Sequence, residues 1–260
     1  MVNVNQGYLL AFLLSVAVYI LDGVFCIGYG TILTLILLIL GFDLYSTIFS
    51  VLVAQFVGGI ISSIWHHKFK NANFNRGSFD LNIAIIISLT GVFSFIGVLV
   101  SVNLNEFLLK LYIGGLTIII GFLTLTIKTQ DTATNNNSTF RVFLVGMFAS
   151  INKAITGGNY GPTLMLAHIL LRIDIKKVLA IRHFAEIFVC GMATIFYLLI
   201  GIKVDLQLLT VLVLGTMFAA LPSAFIIRKT QSVVLKRFVG FTLISLGMIA
   251  TMKTLGLIFV

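Results

Sequence analysis

Charged residues are scarce in this chain: they make up 10% of the 260 residues, whereas hydrophobic residues make up 59%. A soluble domain carries about 25% charged residues. Polar stretches are also lacking, since none exceeds roughly 15 residues, which is too short for a soluble domain. The mean hydropathy of +1.14 and the helix-length apolar runs therefore predict an all-α integral membrane protein, a helical bundle and not a barrel.

Cysteine is nearly absent, with Cys26 and Cys190 as the two examples, both within apolar segments. Two cysteines so far apart exclude a disulfide scaffold and a metal-ligand spacing. No metal site is expected. Residues 1–6 lack the basic start of a signal peptide, so the first apolar run is expected to be a retained helix.

Hydrophobic runs divide the chain into predicted helical segments at about 7–27, 31–41, 44–65, 81–102, 107–127, 140–156, 162–171, 175–200, 207–227 and 238–258. A membrane span needs about 20 residues. Segments 31–41 and 162–171 are too short to cross unaided. Each follows a glycine-containing break, at 28–30 and at 157–161. These segments are expected to be arms of hairpins, either broken or re-entrant.

The two halves of the chain repeat with an offset of 131 residues, which aligns Gly161 with Gly30 and Glu186 with Gln55. Each repeat holds five segments. Because this number is odd, the second half enters the membrane from the opposite side, which predicts two inverted repeats. The predicted organisation is a first transmembrane repeat, a polar linker and a second repeat: 1–127, 128–139 and 140–260.

The positive charges support this topology. If the loop after the third segment faces the cytoplasm, the inner loops hold 12 of the 17 Lys and Arg residues: Lys68, Lys70, Arg76, Lys128, Arg141, Arg172, Lys176, Lys177, Arg228, Lys229, Lys236 and Arg237. This asymmetry is typical of cytoplasmic loops, so the net charge of +9 does not indicate nucleic acid. The prediction is a multi-pass cell-membrane protein with both termini outside.

The two glycine breaks are the strongest candidates for a binding site. Glycine frees the backbone to leave a helix, and Pro162 suits the first turn of a new one. The unpaired N–H groups and the dipole of a helix start favour an anion. The alternative is that the glycines only permit close helix packing. The predicted anion-binding residues at the breaks are Gly28, Tyr29, Gly30, Thr31, Gly157, Gly158, Asn159, Tyr160 and Gly161.

Two carboxylates, Asp22 and Glu186, lie deep in apolar runs. An ionised carboxylate costs about 2.5 kcal/mol or more at the membrane centre, so each is expected to pair, to take a proton or to face water. One or both are candidates for a coupling-proton site, and structural pairing is the alternative. Arg182 precedes Glu186 by four residues, so the two can pair on one helix face. Asp22 aligns with Lys153 across the repeats, which makes a second pair available.

Lys153 and His183 are cationic candidates for the anion site, because a buried cation attracts an anion strongly at low dielectric. Arg182 has two interpretations, pairing within the bundle or snorkelling to the inner interface. His66 and His67 lie at the inner boundary, where anchoring at the membrane interface is the expected role.

Together these motifs resemble the sulfite exporter (TauE/SafE-type) permease family. The second-half pattern is the break 157–161 followed by Pro162, and then a helix with Ala185-Glu186. The first-half pattern is Gly28-Tyr29-Gly30-Thr31, followed later by His66-His67. The resemblance covers most of the chain and implies secondary export of small sulfur-containing anions such as sulfite or organosulfonates. Asn159, in place of a usual glycine, and Gln55, where some members have glutamate, depart from the pattern.

These observations predict a secondary transporter of a small anion. No nucleotide motif is present, so an ion gradient is the expected driving force, and neither a cofactor nor an enzymatic activity is expected. Membrane lipid is the other expected partner, and a homo-oligomer is left open. The alternative function is a membrane thiol–disulfide electron carrier that uses Cys26 and Cys190. An assembly or receptor protein would leave the paired breaks unexplained.

Overall fold

A computed structural model describes residues 4–26, 28–103, 106–126, 139–156, 160–161, 163–164 and 173–256. Over these ranges the chain forms α-helices and one short 3-10 helix at Thr90–Phe93, with no strand. The α-helices are α1 (Val4–Phe25), α2 (Tyr29–Ile39), α3 (Leu44–Lys68), α4 (Phe79–Leu89), α5 (Ser94–Asn103), α6 (Glu106–Thr126), α7 (Thr139–Thr156), α8 (Ile175–Leu199), α9 (Leu206–Lys229) and α10 (Ser232–Thr254).

The helices follow the predicted apolar segments. The predicted segment 81–102 is divided by the 3-10 turn, and most of the segment 162–171 lies outside the described residues. Five stretches of the described chain are long and apolar enough to cross a membrane: Gln6–Phe25, Tyr45–Lys68, Phe79–Val100, Ile175–Leu199 and Leu206–Lys229. The prediction of an all-α membrane bundle is confirmed.

Polarity is arranged in the opposite sense to that of a soluble protein. Large apolar side chains face outward, and Leu199 is 78% exposed and Phe218 is 68% exposed. Charged side chains face inward, and Lys153 and Arg182 have no exposed surface. Such an arrangement suits a lipid environment, in which ionisable residues face the interior of the bundle.

Helices α3 and α8 begin in the same way. Asp43 caps α3 by accepting a hydrogen bond from the Ser46 amide at 2.9 Å, and Asp174 caps α8 by accepting one from the Lys176 amide at 2.9 Å. An N-cap of this kind is worth about 1 kcal/mol. Gln55 in α3 and Glu186 in α8 each lie eleven residues beyond the first residue of their helix. At a rise of 1.5 Å per residue, both are about 16 Å from the helix start.

The same two helices form the centre of the fold and run antiparallel. Phe56 of α3 packs near Gly191 of α8, whereas Gly59, further along α3, lies against the backbone of His183, earlier in α8. Gln55 and Glu186 are therefore brought together where the two helices cross.

Each of the two central helices has helices beside it that run parallel to one another. Helix α1 runs parallel to α9, since Tyr8 donates to Asp205 and, two turns later, Ser15 donates to the Leu212 carbonyl. Helix α7 runs parallel to α4 and α5, since Gly146 lies against Ile87 of α4 and, two turns later, Ala154 lies against Gly97 of α5. Between these contacts, the hydroxyl of Thr90 in the 3-10 turn pairs with that of Ser150 at 3.0 Å. The bundle therefore encloses the ends of α1 and α7 against α3 and α8.

Helices α6 and α10 pack backbone to backbone through glycine. A Cβ on Gly121 would lie 2.9 Å from the Gly240 carbonyl oxygen, and one on Gly247 would lie 2.8 Å from that of Gly114. These contacts show that the two helices run antiparallel. Small residues permit such an approach in a membrane, where van der Waals packing drives association.

We expect Gly247→Ala to lower the free energy of unfolding by about 1–3 kcal/mol, because the added methyl group overpacks this contact. Thermal unfolding in detergent measures the change. Gly115→Ala in α6 is the matched control, since nothing lies within 4 Å of a Cβ at that position. Equal stability of the two variants would contradict the close packing of α6 on α10.

Candidate functional site

The first break separates α1 from α2 and is held by Asp22. Helix α1 ends at Phe25, and Cys26 and Gly28 have φ angles of 55° and 82°. A left-handed conformation costs roughly 1–2 kcal/mol for a residue with a Cβ, such as Cys26. The Asp22 carbonyl accepts from the Cys26 amide at 2.8 Å, and the Asp22 carboxylate accepts from the Gly28 amide at 2.8 Å. These two hydrogen bonds fix the exit from α1.

The break is shorter than the sequence predicts. Tyr29 and Gly30 lie in the first turn of α2 instead of in the break, because helical hydrogen bonding begins as soon as Gly28 has turned the chain. The helix that was expected to open at Thr31 therefore begins two residues earlier. The Tyr29 hydroxyl is buried and forms a 2.8 Å hydrogen bond with that of Ser15. The Tyr29 ring is thus directed toward α1.

Arg182 clamps the first break from α8. Its Nη1 donates to the Asp22 carbonyl at 3.2 Å and to Asp22 Oδ1 at 3.3 Å, and its Nη2 donates to Oδ2 at 3.1 Å. Nη1 also lies 3.1 Å from Cys26 Sγ. Arg182 is fully buried, so the snorkelling interpretation is wrong, and its ionic partner is Asp22 in place of the expected Glu186.

The second break meets the first at this guanidinium. Residues 157–159 lie outside the described residues, and with them the predicted site residues Gly157, Gly158 and Asn159. Tyr160 and Gly161 are helical and buried. A Cβ on Gly161 would lie 2.6 Å from Arg182 Nη1 and 3.1 Å from Cys26 Sγ. Only glycine permits this approach, which places the two breaks in contact.

Lys153, in the last turn of α7, belongs to a second buried ion pair. Its Nζ donates to Gln55 Oε1 at 2.6 Å and lies 3.6 Å from Glu186 Oε1. The Gln55 amide group donates to the same Glu186 oxygen at 3.4 Å. Lys153 therefore faces Glu186 in place of the expected Asp22, because the ends of α1 and α7 both point at α3 and α8 instead of at each other.

His183 connects the two ion pairs. Its Nδ1 lies 3.6 Å from Glu186 Oε2, and its Nε2 lies 3.2 Å from Arg182 Nη2. The His183 ring stacks on His66, with 5.2 Å between the centroids. His66 is fully buried, so interface anchoring is wrong for this residue. The side chain of His67 is partly exposed and accepts a hydrogen bond from the Phe74 amide.

Several members of this network gave little signal in the sequence. The Tyr19 hydroxyl lies 3.1 Å from Ser62 Oγ and 3.5 Å from His183 Nδ1, and the Asn71 amide lies 2.9 Å from His66 Nδ1. Single hydroxyl residues in apolar runs are common, so nothing distinguished Tyr19 or Ser62. Gln55 did have a signal, since it aligns with Glu186 at the offset of 131.

The result is one buried polar cluster, defined by Asp22, Gln55, Lys153, Arg182, His183 and Glu186. It contains two acids and two bases and reaches both breaks. Ionisable residues inside a membrane bundle mark substrate and ion pathways, because their cost is otherwise hard to sustain.

Gly161→Ala should lower the free energy of unfolding by about 1–3 kcal/mol, since the new methyl group must displace a guanidinium that is tied to Asp22. Thermal unfolding in detergent is again the measurement. The matched control is Gly191→Ala in α8, where a Cβ would meet Phe56 at an ordinary 3.4 Å. If the two variants unfold alike, the breaks are not in the contact described.

Comparison with known proteins agrees with these features. Residues 11–249 match the sequence model of the family described as sulfite exporter TauE/SafE, which is nearly the whole chain. No curated protein and no solved structure matches the chain. Because the match covers both breaks and every residue of the buried polar cluster, the chain belongs to the sulfite exporter TauE/SafE family.

Proposed function

We propose that this chain moves a small sulfur-containing anion, sulfite or an organosulfonate, across the cell membrane by using an ion gradient. The family consists of membrane transporters of sulfite and related anions, not of enzymes. The observation that carries the proposal is the buried polar cluster at the point where the two breaks meet. A transported anion needs a protein environment of this kind at membrane depth, because lipid offers it no partner.

The anion is proposed to bind between the breaks. Lys153 supplies the positive charge, and the first turn of α2, with Tyr29, Gly30 and Thr31, supplies backbone N–H groups. Gly28 makes the turn into that helix, and its own N–H group donates to Asp22. Tyr160 and Gly161, in the equivalent segment after α7, are proposed to belong to the same site. Gly157, Gly158 and Asn159 lie outside the described residues and stay predicted members of it. His183 lies at its edge, next to Glu186.

Rocking of two inverted repeats, 1–127 and 140–260 joined by the linker 128–139, is the proposed way of exposing this site to each side in turn. Three features support the repeat. The caps Asp43 and Asp174 are 131 residues apart, and so are Gln55 and Glu186, which touch each other as residues on a two-fold axis would. The α1–α9 pair also mirrors the pairing of α7 with α4 and α5. The charge asymmetry supports the proposal that both termini lie outside.

Glu186 is the proposed coupling site, and Asp22 has a different task. Both oxygens of Asp22 accept from Arg182, and one also accepts from Gly28, so that carboxylate holds the break. Glu186 faces Lys153 and His183 at 3.6 Å, which is beyond hydrogen-bond distance. A loosely held carboxylate is better suited to exchange a proton during a transport cycle.

Electron transfer through the cysteines is not favoured. Cys26 and Cys190 are free and buried, and they belong to different hydrophobic clusters of the core. Buried free cysteine commonly serves as a small apolar residue.

The double variant Cys26→Ser, Cys190→Ser tests this alternative. We expect anion flux to be unchanged within experimental scatter, because serine keeps an acceptor beside Arg182 and no thiol takes part in transport. Flux of labelled sulfite into proteoliposomes is the measurement. Complete loss of activity in a variant that still folds would revive the electron carrier.

Uptake of labelled sulfite into proteoliposomes under an imposed pH gradient tests the proposed function, with sulfate and taurine as competitors. We expect saturable, gradient-dependent uptake. Lys153→Gln should lower the affinity for sulfite about thirtyfold or more, because the anion loses a buried charged partner worth about 2 kcal/mol or more.

Lys177→Gln is the matched control, since Lys177 is also paired with a carboxylate, Asp80 at 3.3 Å, but is 41% exposed and lies outside the buried polar cluster. The control should behave as wild type. Saturable uptake that Lys153→Gln leaves intact would remove Lys153 from the site. Absence of flux for sulfite and both competitors would overturn the sulfur-anion proposal.

A further inference from the structure

The buried polar cluster is balanced in charge. Its formally charged members are two acids, Asp22 and Glu186, and two bases, Lys153 and Arg182, which form two ion pairs. All four are buried, with at most 2% of the residue exposed. An anion that enters would therefore leave the cluster with one uncompensated negative charge, a costly state away from water.

His183 does not alter this balance. A guanidinium can only donate hydrogen bonds, so His183 Nε2, 3.2 Å from Arg182 Nη2, must be the accepting nitrogen. The imidazole proton is thereby assigned to Nδ1, which faces Glu186 Oε2. His183 is consequently neutral, and its N–H group faces Glu186 Oε2 at 3.6 Å, beyond hydrogen-bond distance.

The other titratable groups that face the cluster do not change its net charge. They come from α1, the first break, α3, α8 and the segment after α7: Tyr19, Cys26, His66, Cys190 and Tyr160. In their ordinary forms these groups are mostly uncharged near neutral pH. Gln55, which bridges Lys153 and Glu186, is uncharged at any pH.

The two ion pairs differ in how tightly they are closed. Both carboxylate oxygens of Asp22 accept hydrogen bonds, from Arg182 and from the Gly28 amide. Among the described residues, Glu186 Oε2 has no hydrogen-bond partner, and Oε1 lies 3.6 Å from Lys153 Nζ. Glu186 is therefore the acid that can accept a proton without opening the first break.

We propose that anion binding at Lys153 requires a proton on Glu186, so that the chain carries one monovalent oxyanion together with one proton in the same direction. This inference rests on the proposed function. The proton, taken from water, forms the O–H bond at Glu186 Oε2 and neutralises that carboxylate. Lys153 keeps its hydrogen bond to Gln55 and turns its unpaired charge to the anion.

This scheme defines which states can move between the two sides. The net charge of the cluster is zero when it is empty and when it holds both the proton and the anion. A proton alone or an anion alone leaves an uncompensated buried charge. Only the empty and the doubly loaded states are suited to rocking. A dianion such as sulfate would need a second proton and is therefore disfavoured, and sulfite would be carried as the monovalent hydrogensulfite ion.

Methanesulfonate is the probe for the test, because this anion of a strong acid stays unprotonated and any proton that moves is carried by the protein. Proteoliposomes contain a pH-sensitive dye, the membrane potential is clamped, and methanesulfonate is added outside without an imposed pH gradient. Entry of the tracer should acidify the lumen. Tracer entry with alkalinisation, or with no pH change, would overturn the inference while leaving anion transport intact. Absence of tracer flux would overturn the proposed function for organosulfonates, and this inference with it.

Glu186→Gln locates the proton. The amide mimics the protonated acid and leaves Lys153 permanently free, so exchange of labelled for unlabelled methanesulfonate should persist while acidification is lost. Asp80→Asn is the matched control, because it makes the same acid-to-amide change in a carboxylate that lies 3.3 Å from Lys177 and outside the cluster. This variant should keep both tracer exchange and acidification. Acidification that persists in Glu186→Gln would overturn the assignment. If Glu186→Gln does not fold, the sign of the pH change in wild type still decides.

Discussion

Arg182 carries a charge that it cannot give up, since a guanidinium stays protonated in proteins, and it carries that charge inside an apolar bundle with no exposed surface. The surroundings must therefore supply hydrogen-bond acceptors, and Asp22, in the last turn of α1, provides its carboxylate and its backbone carbonyl. The helix can end at Phe25 because these groups are satisfied from α8. Removing either partner of such a pair typically costs 3–5 kcal/mol, so the break and the pair depend on each other.

The same guanidinium organises the groups around it. It lies against Gly161, which brings the second break into contact with the first, and it faces His183, which fixes the imidazole tautomer. His183 then presents its N–H group to Glu186. A rigid, fully charged residue thus sets the geometry around a more loosely held carboxylate. The closed pair Arg182–Asp22 differs in this way from the looser pair Lys153–Glu186, to which the proposal assigns the proton.

The sequence indicated the helices because apolar runs of span length leave few alternatives, and it indicated the breaks because glycine rarely clusters at membrane depth without a reason. It also indicated Asp22, Lys153 and Glu186, since a buried charge stands out in such a composition. It did not indicate the pairing. Spacing rules describe contacts along one helix, whereas Arg182 and Asp22 are 160 residues apart. The prediction of interface anchoring for His66 was wrong because a histidine at the end of an apolar run can lie either at the membrane interface or at a buried contact between helices, and the sequence does not distinguish the two.

The contact between Gln55 and Glu186 determines how many carboxylates meet where α3 and α8 cross. If the aligned position in the first half also held a glutamate, two carboxylates would meet at the crossing of α3 and α8 and would share protons as a coupled unit. An amide at Gln55 keeps the shape of that partner and its hydrogen bonds but cannot titrate. Glu186 is consequently the one carboxylate of this contact, and the proposed ratio of one proton to one anion depends on a difference of one functional group between positions 55 and 186.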